Sequence, residues 1–330
     1  MDSLRVLVTG APGWLGTRLV EILRGIKREV RCLVLPEADS AYLKELGAQI
    51  FNGDLSDSES LKGLCEEIDT VFHCAGIIHP HRIRDFYEIN VKGTKNILEE
   101  AVESGAERFI YVSSNSAAGV NRFRYKLMNE SDSLYPYNHY GLSKYKAEAL
   151  VRRAFEEGKI KTTVIRPCWF YGIRQPERQT GFFRMIKKGN PLIFGDGKNL
   201  RSLSYIDNVV DALLLIGQKD ISIGKTYWIT DKRPYPTIEI YQTIARWLDV
   251  KDFRPRFVPA FVSKMCEIAD TLIQSAGFYV KEIHVAGEMA EDIACSIEKA
   301  RRELGYEPKI DLEEGMRRSI EWCRVNGVKI

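Results

Sequence analysis

Tyr140 and Lys144 lie four residues apart in the segment NHYGLSKYKAE, residues 138–148. Residues at positions i and i+4 share one face of a helix, so both side chains can reach one reacting group. A tyrosine has an ordinary pKa of about 10, and a neighbouring ammonium group favours its phenolate form. The pair could therefore transfer a proton. The same spacing also occurs on solvated helix faces, and on spacing alone that interpretation is favoured.

A glycine-rich segment, VTGAPGWLG, follows the first apolar run of the chain and places Gly10, Gly13 and Gly16 in a G-x-x-G-x-x-G spacing. Glycines allow a tight turn and a close approach to a pyrophosphate, and the N-terminus of the helix that follows attracts the anion. Between a predicted strand and a predicted helix, this segment indicates a dinucleotide-binding site. The alternative is an ordinary tight turn.

Apolar runs alternate with helical periodicity through the first half of the chain. The predicted strands include RVLVTG, VRCLVL, TVFHCAG, RFIYVSS and TTVIRP. This alternation predicts an α/β fold with a doubly wound parallel sheet of the Rossmann type. We expect a dinucleotide-binding domain over 1–167, rejoined by about 205–230, and a smaller, interleaved substrate-binding lobe formed by 168–204 and 231–330.

The composition excludes several classes of function. The chain has 330 residues and a net charge of only +3, so it lacks the excess of basic residues that is typical of nucleic-acid binding. No stretch reaches the roughly 18 uninterrupted apolar residues of a membrane helix, and the start lacks the features of a signal peptide. We therefore expect a cytoplasmic protein without a membrane span. The seven cysteines form no C-x-x-C pair, so neither a disulfide framework nor a metal site is expected.

The end of the second predicted strand leaves the choice between NAD and NADP open. An acidic residue often stands there and binds the adenosine ribose. Here Val34 and Leu35 occupy the strand end, and Glu37 and Asp39 follow only after a proline, in an expected loop.

The chain resembles the extended short-chain dehydrogenase/reductases, which include nucleotide-sugar epimerases, dehydratases and 3β-hydroxysteroid dehydrogenase-like enzymes. The resemblance rests on the order and spacing of TGAPGWLG, GDLSD, VFHCAG, NVKGTKNILEEA, YVSSNSAAG, YGLSK, RPCWFYG and RSLSYIDNVVDA. It implies an NAD or NADP cofactor, with a slight preference for NAD. It favours the proton-transfer interpretation of Tyr140 and Lys144, and it implies a homodimer formed through helices around 85–104 and 140–156.

The resemblance implies a role for each matching residue. Tyr140 is the implied general acid/base, with Lys144 beside it, and Ser114 is the implied hydrogen-bond partner of the reacting oxygen, with Ser113 as the alternative serine. Besides Tyr140 and Lys144, the residues implied to bind the cofactor are Gly10, Gly13, Trp14, Leu15, Gly16, Asp54, Leu55, Ala75, Gly76, Asn90 and Pro167. The residues implied to bind substrate are Ser114, Asn115, Arg174 and Arg201.

The two arginines could hold a substrate pyrophosphate, or they could lie at solvated edges of the lobe. A dehydratase is not expected, because Asn115 and Ser116 stand where dehydratases of this family carry an Asp-Glu pair. The segments around the arginines favour a nucleotide sugar, whereas Ala118 and Trp169 replace a tyrosine and an asparagine that sugar epimerases commonly carry.

Three functions follow from these signals. We expect first a nucleotide-sugar C4 epimerase or 4-keto reductase. The second expectation is a 3β-hydroxysteroid dehydrogenase-like enzyme or carbonyl reductase with an apolar substrate, and the third is a non-catalytic dinucleotide-binding regulator.

The late segment PAFVSKMCEIADTLIQSAGFYVKEIHV, residues 259–285, is unusually apolar. It could cover a hydrophobic substrate or meet a membrane surface. A core helix of the smaller lobe is the favoured expectation.

Overall fold

A computed structural model describes residues 4–330 and is built around a seven-stranded sheet. In chain order the strands are β1 (Arg5–Thr9), β2 (Glu29–Val34), β3 (Gln49–Asn52), β4 (Thr70–His73), β5 (Arg108–Val112), β6 (Lys161–Pro167), β7 (Trp169–Tyr171), β8 (Leu192–Phe194), β9 (Leu200–Arg201), β10 (Leu203–Tyr205), β11 (Lys225–Ile229), β12 (Tyr235–Pro236) and β13 (Arg256–Val258).

The α-helices are α1 (Trp14–Gly25), α2 (Ala41–Glu45), α3 (Ile83–Tyr87), α4 (Thr94–Glu103), α5 (His139–Glu156), α6 (Glu177–Lys187), α7 (Ile206–Gln218), α8 (Thr237–Trp247), α9 (Ala260–Ser275), α10 (Lys281–Glu288), α11 (Glu298–Leu304) and α12 (Leu312–Val325). A π-helical segment, Glu88–Gly93, joins α3 to α4, and short 3₁₀ turns span Glu59–Leu61, Asn115–Ala117 and Asp220–Ser222.

All strands of the main sheet are parallel, in the order β11-β6-β5-β4-β1-β2-β3. The predicted doubly wound parallel sheet is therefore confirmed. The chain winds outward from β1 to β3 on one side and from β4 to β6 on the other. This reversal leaves a crevice at the carboxyl ends of β1 and β4, where open α/β sheets bind their ligands.

Helices cover both faces of the sheet, and this explains why its strands are apolar on both sides. On one face α1 and α7 contribute buried side chains such as Leu19 and Val209. On the other face α4 and α5 contribute Ile97 and Val151. Because α5 lies directly against the sheet, its first turn is held at the carboxyl ends of the strands.

The second half of the chain both joins the sheet and forms a separate core. β11 pairs with β6 at the edge of the main sheet, and α7 packs on the sheet beside α1. Helices α6, α8 and α12 enclose a second core that contains Phe183, Ile244 and Ile320. The lobe therefore grows directly out of the sheet.

A buried ion pair fixes α5 to the sheet. Arg166 of β6 donates two hydrogen bonds to the Glu148 carboxylate, at 2.9 and 2.6 Å, and both side chains are almost completely excluded from solvent. Two parallel bonds of this kind restrain orientation as well as distance. Glu148 lies one helical turn after Lys144, so this ion pair also restrains the rotation of α5 about its own axis near Lys144.

The apolar segment 259–285 differs from the favoured expectation of a core helix. It forms α9 and α10, and Phe261, Met265 and Leu272 of α9 are exposed. Across residues 4–330, no helix combines the length and the apolar character needed to cross a bilayer.

Candidate active site

The carboxyl ends of the central strands bring several of the predicted site residues together. Gly10 follows β1, Ala75 and Gly76 follow β4, Ser114 lies just after β5, and Pro167 ends β6. In a parallel sheet these ends lie at one edge, so residues that are distant in sequence border the same crevice.

The glycine turn between β1 and α1 has no room for side chains. Gly10 has a φ of +82°, and a Cβ atom there would lie 2.7 Å from the Ala75 nitrogen. A Cβ atom at Gly16 would lie 2.5 Å from the Gly10 carbonyl oxygen. Helix α1 begins at Trp14 without a side-chain cap, so the amides of Trp14 and Leu15 lie at a helix N-terminus. This cradle fits a dinucleotide pyrophosphate.

The residues predicted to border the adenine lie in the turn after β3. The Asp54 carboxylate accepts a hydrogen bond from the Ser56 amide at 2.8 Å, and the Leu55 carbonyl accepts one from Asn96 Nδ2 at 2.7 Å. β2 ends at the buried Val34, so an acidic side chain is missing from the strand end that commonly contacts the ribose.

Helix α5 presents the tyrosine and lysine in its first two turns. Asn138 caps the helix, because its Oδ1 accepts a hydrogen bond from the Gly141 amide at 2.6 Å. Tyr140 is half-buried, and its ring centre lies 5.8 Å from that of Phe86. Lys144, one turn later, is buried. The structure thus brings the predicted pair to the carboxyl edge of the sheet.

Burial controls the ionisation of Lys144. Its Nζ donates a hydrogen bond to the Val112 carbonyl at 2.8 Å and lies 4.4 Å from the centre of the Tyr111 ring. Removal from water lowers the pKa of Lys144 to about 7, although the charges of Glu148 and Cys74 oppose this shift. The ammonium can therefore lose its proton near neutral pH.

Two serines occupy the end of β5. Ser114 Oγ accepts a hydrogen bond from the Ser116 amide at 3.2 Å, which leaves its own proton available to a substrate oxygen. Ser113 is also buried, and its amide donates to the Ile165 carbonyl at 2.8 Å. Within residues 4–330 the Ser113 hydroxyl has no hydrogen-bond partner. Asn115 begins the 3₁₀ turn directly beside them and is half-buried.

A buried histidine that the sequence did not single out connects β1 and β4 to the π-helical segment. His73 Nδ1 lies 2.7 Å from Thr9 Oγ1, and its Nε2 lies 2.9 Å from Thr94 Oγ1. The Thr94 hydroxyl donates to the Asn90 carbonyl at 2.7 Å, so it must accept from Nε2–H. Burial lowers the pKa of His73 to about 3, and the histidine is therefore neutral.

Asn90 continues this network toward α5. Its Nδ2 donates to Ser143 Oγ at 3.0 Å, and Ser143 Oγ donates to the Tyr140 carbonyl at 2.7 Å. Its Oδ1 accepts from the Ile77 amide at 2.8 Å. The Asn90 side chain thus bonds both Ser143 of α5 and Ile77 after β4, and its role as a support of the site stays a prediction. Thr94 stands four residues after it, and that helical spacing could have signalled its part.

The structure does not bring Arg174 to the tyrosine and lysine. Its Nε lies 3.0 Å from Glu21 Oε1 of α1, and its Nη2 donates to the Tyr42 hydroxyl of α2 at 2.7 Å. The guanidinium also stacks on the Tyr42 ring, 4.5 Å from its centre. These contacts hold the guanidinium against α1 and α2, and the substrate-binding role of Arg174 stays a prediction.

Arg201 has a different environment. It is half-buried on β9, and no hydrogen bond or ion pair to its guanidinium occurs among the residues that the structure describes. Burial raises the pKa of Tyr137 and that of Glu291, and the charge of Arg201 opposes both shifts. The charge of Arg201 therefore acts on Tyr137, which lies three residues before Tyr140.

The smaller lobe reaches the surroundings of Tyr140 through Tyr279, which sequence reasoning did not find. This residue lies between α9 and α10, and its ring centre is 5.6 Å from that of Phe86, which contacts Tyr140. Its hydroxyl lies 2.9 Å from His79 Nδ1. Its place near the site depends on the packing of α9 and α10, so a local sequence signal could not reveal it.

Comparison with known proteins identifies one matching family, and the named relatives include a sterol dehydrogenase and a sugar-nucleotide epimerase. A model of the NAD dependent epimerase/dehydratase family matches residues 6–229. The uncharacterized protein y4nL of Sinorhizobium fredii is 37% identical over 99% of this chain and 97% of its own. The sterol-4-alpha-carboxylate 3-dehydrogenase of Candida albicans is 28% identical over 97% and 98%, and the UDP-glucose 4-epimerase of Vibrio cholerae is 25% identical over 96% and 94%.

Solved structures share the fold over nearly the whole chain. The UDP-glucose 4-epimerase of Thermotoga maritima, solved with UDP-glucose, superposes with a TM-score of 0.79 at 24% identity, covering 98% of this chain and 99% of that one. The UDP-glucuronic acid 4-epimerase of Bacillus cereus, solved with NAD, gives 0.76 at 21% identity, covering 99% and 100%.

Replacing Gly16 by alanine tests the glycine cradle. The added Cβ would meet the Gly10 carbonyl at 2.5 Å, so we expect Gly16→Ala to weaken dinucleotide binding at least about tenfold and to destabilise the fold by about 1–3 kcal/mol. Gly25→Ala, in the same helix with open space around it, is the matched control and should change stability by less than about 1 kcal/mol. Titration calorimetry and chemical denaturation measure both quantities. Equal dinucleotide affinity and equal stability of the two variants would show that Gly16 has room for a side chain.

The pKa of Lys144 predicts a pH-dependent stability of the cofactor-free protein. Since this pKa is about 7 in the folded state and about 10.5 when unfolded, the unfolded chain binds more protons between these values. The unfolding free energy of the wild type should therefore rise, relative to Lys144→Met, by about 1.4 kcal/mol per pH unit from about pH 7 to about pH 10. The exposed Lys92→Met serves as the control and should show a flat difference. A flat difference for Lys144→Met as well would show that burial does not shift its pKa.

Proposed function

Because the chain belongs to the NAD dependent epimerase/dehydratase family and is an enzyme of the extended short-chain dehydrogenase/reductase type, we propose that it oxidises and reduces a carbon of a nucleotide sugar, as a C4 epimerase or a 4-keto reductase. The observation that carries the proposal is the position of Tyr140 and the buried Lys144 on the first two turns of α5, at the carboxyl edge of the sheet that also holds the glycine turn.

The site residues have complementary roles in this reaction. NAD, when bound along the glycine turn, supplies the hydride acceptor or donor. In the oxidative direction Tyr140 takes the proton of the substrate hydroxyl as the hydrogen on the same carbon leaves as hydride. Protonated Lys144 favours the phenolate that this step needs, and Ser114 donates a hydrogen bond to the substrate oxygen. In the reductive direction Tyr140 returns the proton.

NAD is the cofactor that the available observations favour. The family is defined by NAD dependence, and the related epimerase of Bacillus cereus was solved with NAD. At the end of β2 the buried Val34 offers no positive charge to a 2′-phosphate.

Arg201 supports a substrate that carries a pyrophosphate. A half-buried guanidinium without a hydrogen bond from the described residues can donate two parallel bonds to phosphate oxygens. The relative in Vibrio cholerae, a UDP-glucose 4-epimerase, uses a substrate of this class.

An apolar alcohol or ketone is the second candidate substrate. Trp169 begins β7, two residues after the end of β6, and is 38% exposed. An exposed indole at this edge suits a hydrophobic ring better than a sugar hydroxyl. The relative in Candida albicans is a sterol-4-alpha-carboxylate 3-dehydrogenase.

Replacing Tyr140 by phenylalanine tests catalysis against a purely regulatory role. We expect Tyr140→Phe to lower turnover by about 10²–10⁴-fold, because the proton carrier is lost, while bound dinucleotide is retained. The exposed Tyr145→Phe on the same helix is the control and should keep full turnover. Turnover of UDP-sugars and the mass of dinucleotide released on denaturation are the two measurements. Unchanged turnover in Tyr140→Phe would show that Tyr140 is not the general acid/base.

Replacing Arg201 by methionine tests the class of substrate. If Arg201 holds a pyrophosphate, Arg201→Met should raise the KM for a sugar nucleotide by about 10–100-fold, since hydrogen bonds to charged groups are worth about 1.5–3 kcal/mol. Arg174→Met is the matched control and should leave KM nearly unchanged, because Arg174 is bound to Glu21 and Tyr42. Steady-state kinetics with UDP-glucose measures both. An unchanged KM in Arg201→Met would favour the apolar substrate.

A further inference from the structure

Helix α9 has its polar face inside and its apolar face outside. Ser263, Asp270 and Gln274 are buried at positions that share one side of the helix. Asp270 Oδ2 lies 2.8 Å from His284 Nδ1 of α10 and accepts from Gln274 Nε2 at 2.6 Å. Helices of globular proteins normally have the reverse arrangement. The attachment of α9 to the rest of the lobe therefore does not account for its apolar residues.

The opposite side of α9 forms a continuous apolar row, here called the α9 stripe, made of Phe261, Met265, Ile268 and Leu272. Their spacings of four, three and four residues place them on one helix face. Each is between 56% and 65% exposed. Phe257 before the helix and Phe278 after it are also exposed, at 55% and 67%. Contiguous apolar surfaces of this kind mark sites of interaction.

Basic residues border both ends of the α9 stripe. The residues near its two ends are Arg254, Arg256 and Lys264 at the first, and Arg82, Arg84 and Lys281 at the second. Arg82 forms a β-bridge with Phe278, so it lies directly beside the stripe. Arg254 pairs with Asp252, Lys264 with Glu267 and Arg84 with Asp85, whereas neither Arg82 nor Arg256 forms an ion pair with any residue in the described part of the chain.

We propose that the α9 stripe binds the surface of an anionic phospholipid bilayer. An apolar helix face enters the boundary between head groups and acyl chains, and basic residues beside it contact the anionic phosphates. The charge pattern disfavours a second copy of the chain as the occupant. An arginine without an ion pair to the described residues stands at each end, Arg256 at the first and Arg82 at the second, so a two-fold pairing of two stripes would bring like charges together in either direction.

The α9 stripe also lies next to the elements that hold the reaction centre. The Ile83 amide donates to the Gly277 carbonyl at 3.4 Å, directly after α9. Tyr279, two residues further on, packs on Phe86, which contacts Tyr140. A chain bound through α9 would therefore keep its candidate active site beside the lipid surface.

Vesicle co-sedimentation of the full chain tests the proposal. We expect the wild type to pellet with vesicles that contain phosphatidylglycerol and phosphatidylcholine, more than with phosphatidylcholine alone, and to be released by salt. The double variant Phe261→Glu, Leu272→Glu should lower the partition coefficient at least about tenfold, because two exposed apolar contacts are lost. Since both side chains are exposed, this variant should unfold at the same temperature as the wild type.

The control variant also replaces two exposed apolar residues by glutamate, but outside α9, so its change in net charge is the same. Val325 and Ile221 are 85% and 49% exposed, so Val325→Glu, Ile221→Glu should pellet like the wild type. Failure of the wild type to pellet with either kind of vesicle, or equal pelleting of the stripe variant, would overturn the proposal. Light scattering adds a second way to refute it. A wild-type dimer that ignores vesicles and dissociates in the stripe variant would show that the stripe joins two copies.

Discussion

The close approach of β1 and β4 at their carboxyl ends is the constraint on which the rest of the site depends. It is possible only because Gly10 has no side chain, since a Cβ atom there would lie 2.7 Å from the Ala75 nitrogen. The same turn brings the Gly10 carbonyl against Gly16 and so fixes the start of α1. A helix N-terminus and the crevice between the diverging halves of the sheet thus meet at one point, which is where a dinucleotide can be held.

From this point a continuous series of hydrogen bonds leads to the helix that carries Tyr140 and Lys144. Thr9 contacts His73, His73 contacts Thr94, Thr94 donates to the Asn90 carbonyl, and Asn90 reaches Ser143 on α5. Every member is buried, so an unmade bond in the series would carry the full cost of a desolvated polar group. The network therefore holds the tyrosine and lysine in one arrangement. The desolvation that makes the network rigid also lowers the pKa of Lys144 to about 7.

The sequence predicted the features that depend on local pattern. Strand and helix periodicity gave the parallel sheet, the glycine spacing gave the turn, and the i, i+4 spacing gave Tyr140 and Lys144 as one helix face. The partners of the Arg174 guanidinium were not predictable in the same way, because Glu21 and Tyr42 lie far from Arg174 in the chain. Tyr279 likewise reaches Phe86 only through the packing of the lobe. Local patterns identify which residues can do chemistry, but long-range contacts decide which of them meet.

The buried polar side of α9 attaches the smaller lobe to the start of α5. Gln274 Oε1 accepts a hydrogen bond from the His139 amide at the start of α5, at 3.2 Å, and Gln274 Nε2 is itself held by Asp270. A hydrocarbon face could not satisfy that amide, which lies in the first turn of α5 where intrahelical acceptors are missing. Turning the polar side of α9 inward meets this requirement and bonds Asp270 to His284. The apolar row of α9 then lies on the opposite, exposed side of the helix. The attachment that positions Tyr140 and the exposed stripe are therefore two consequences of one helix orientation.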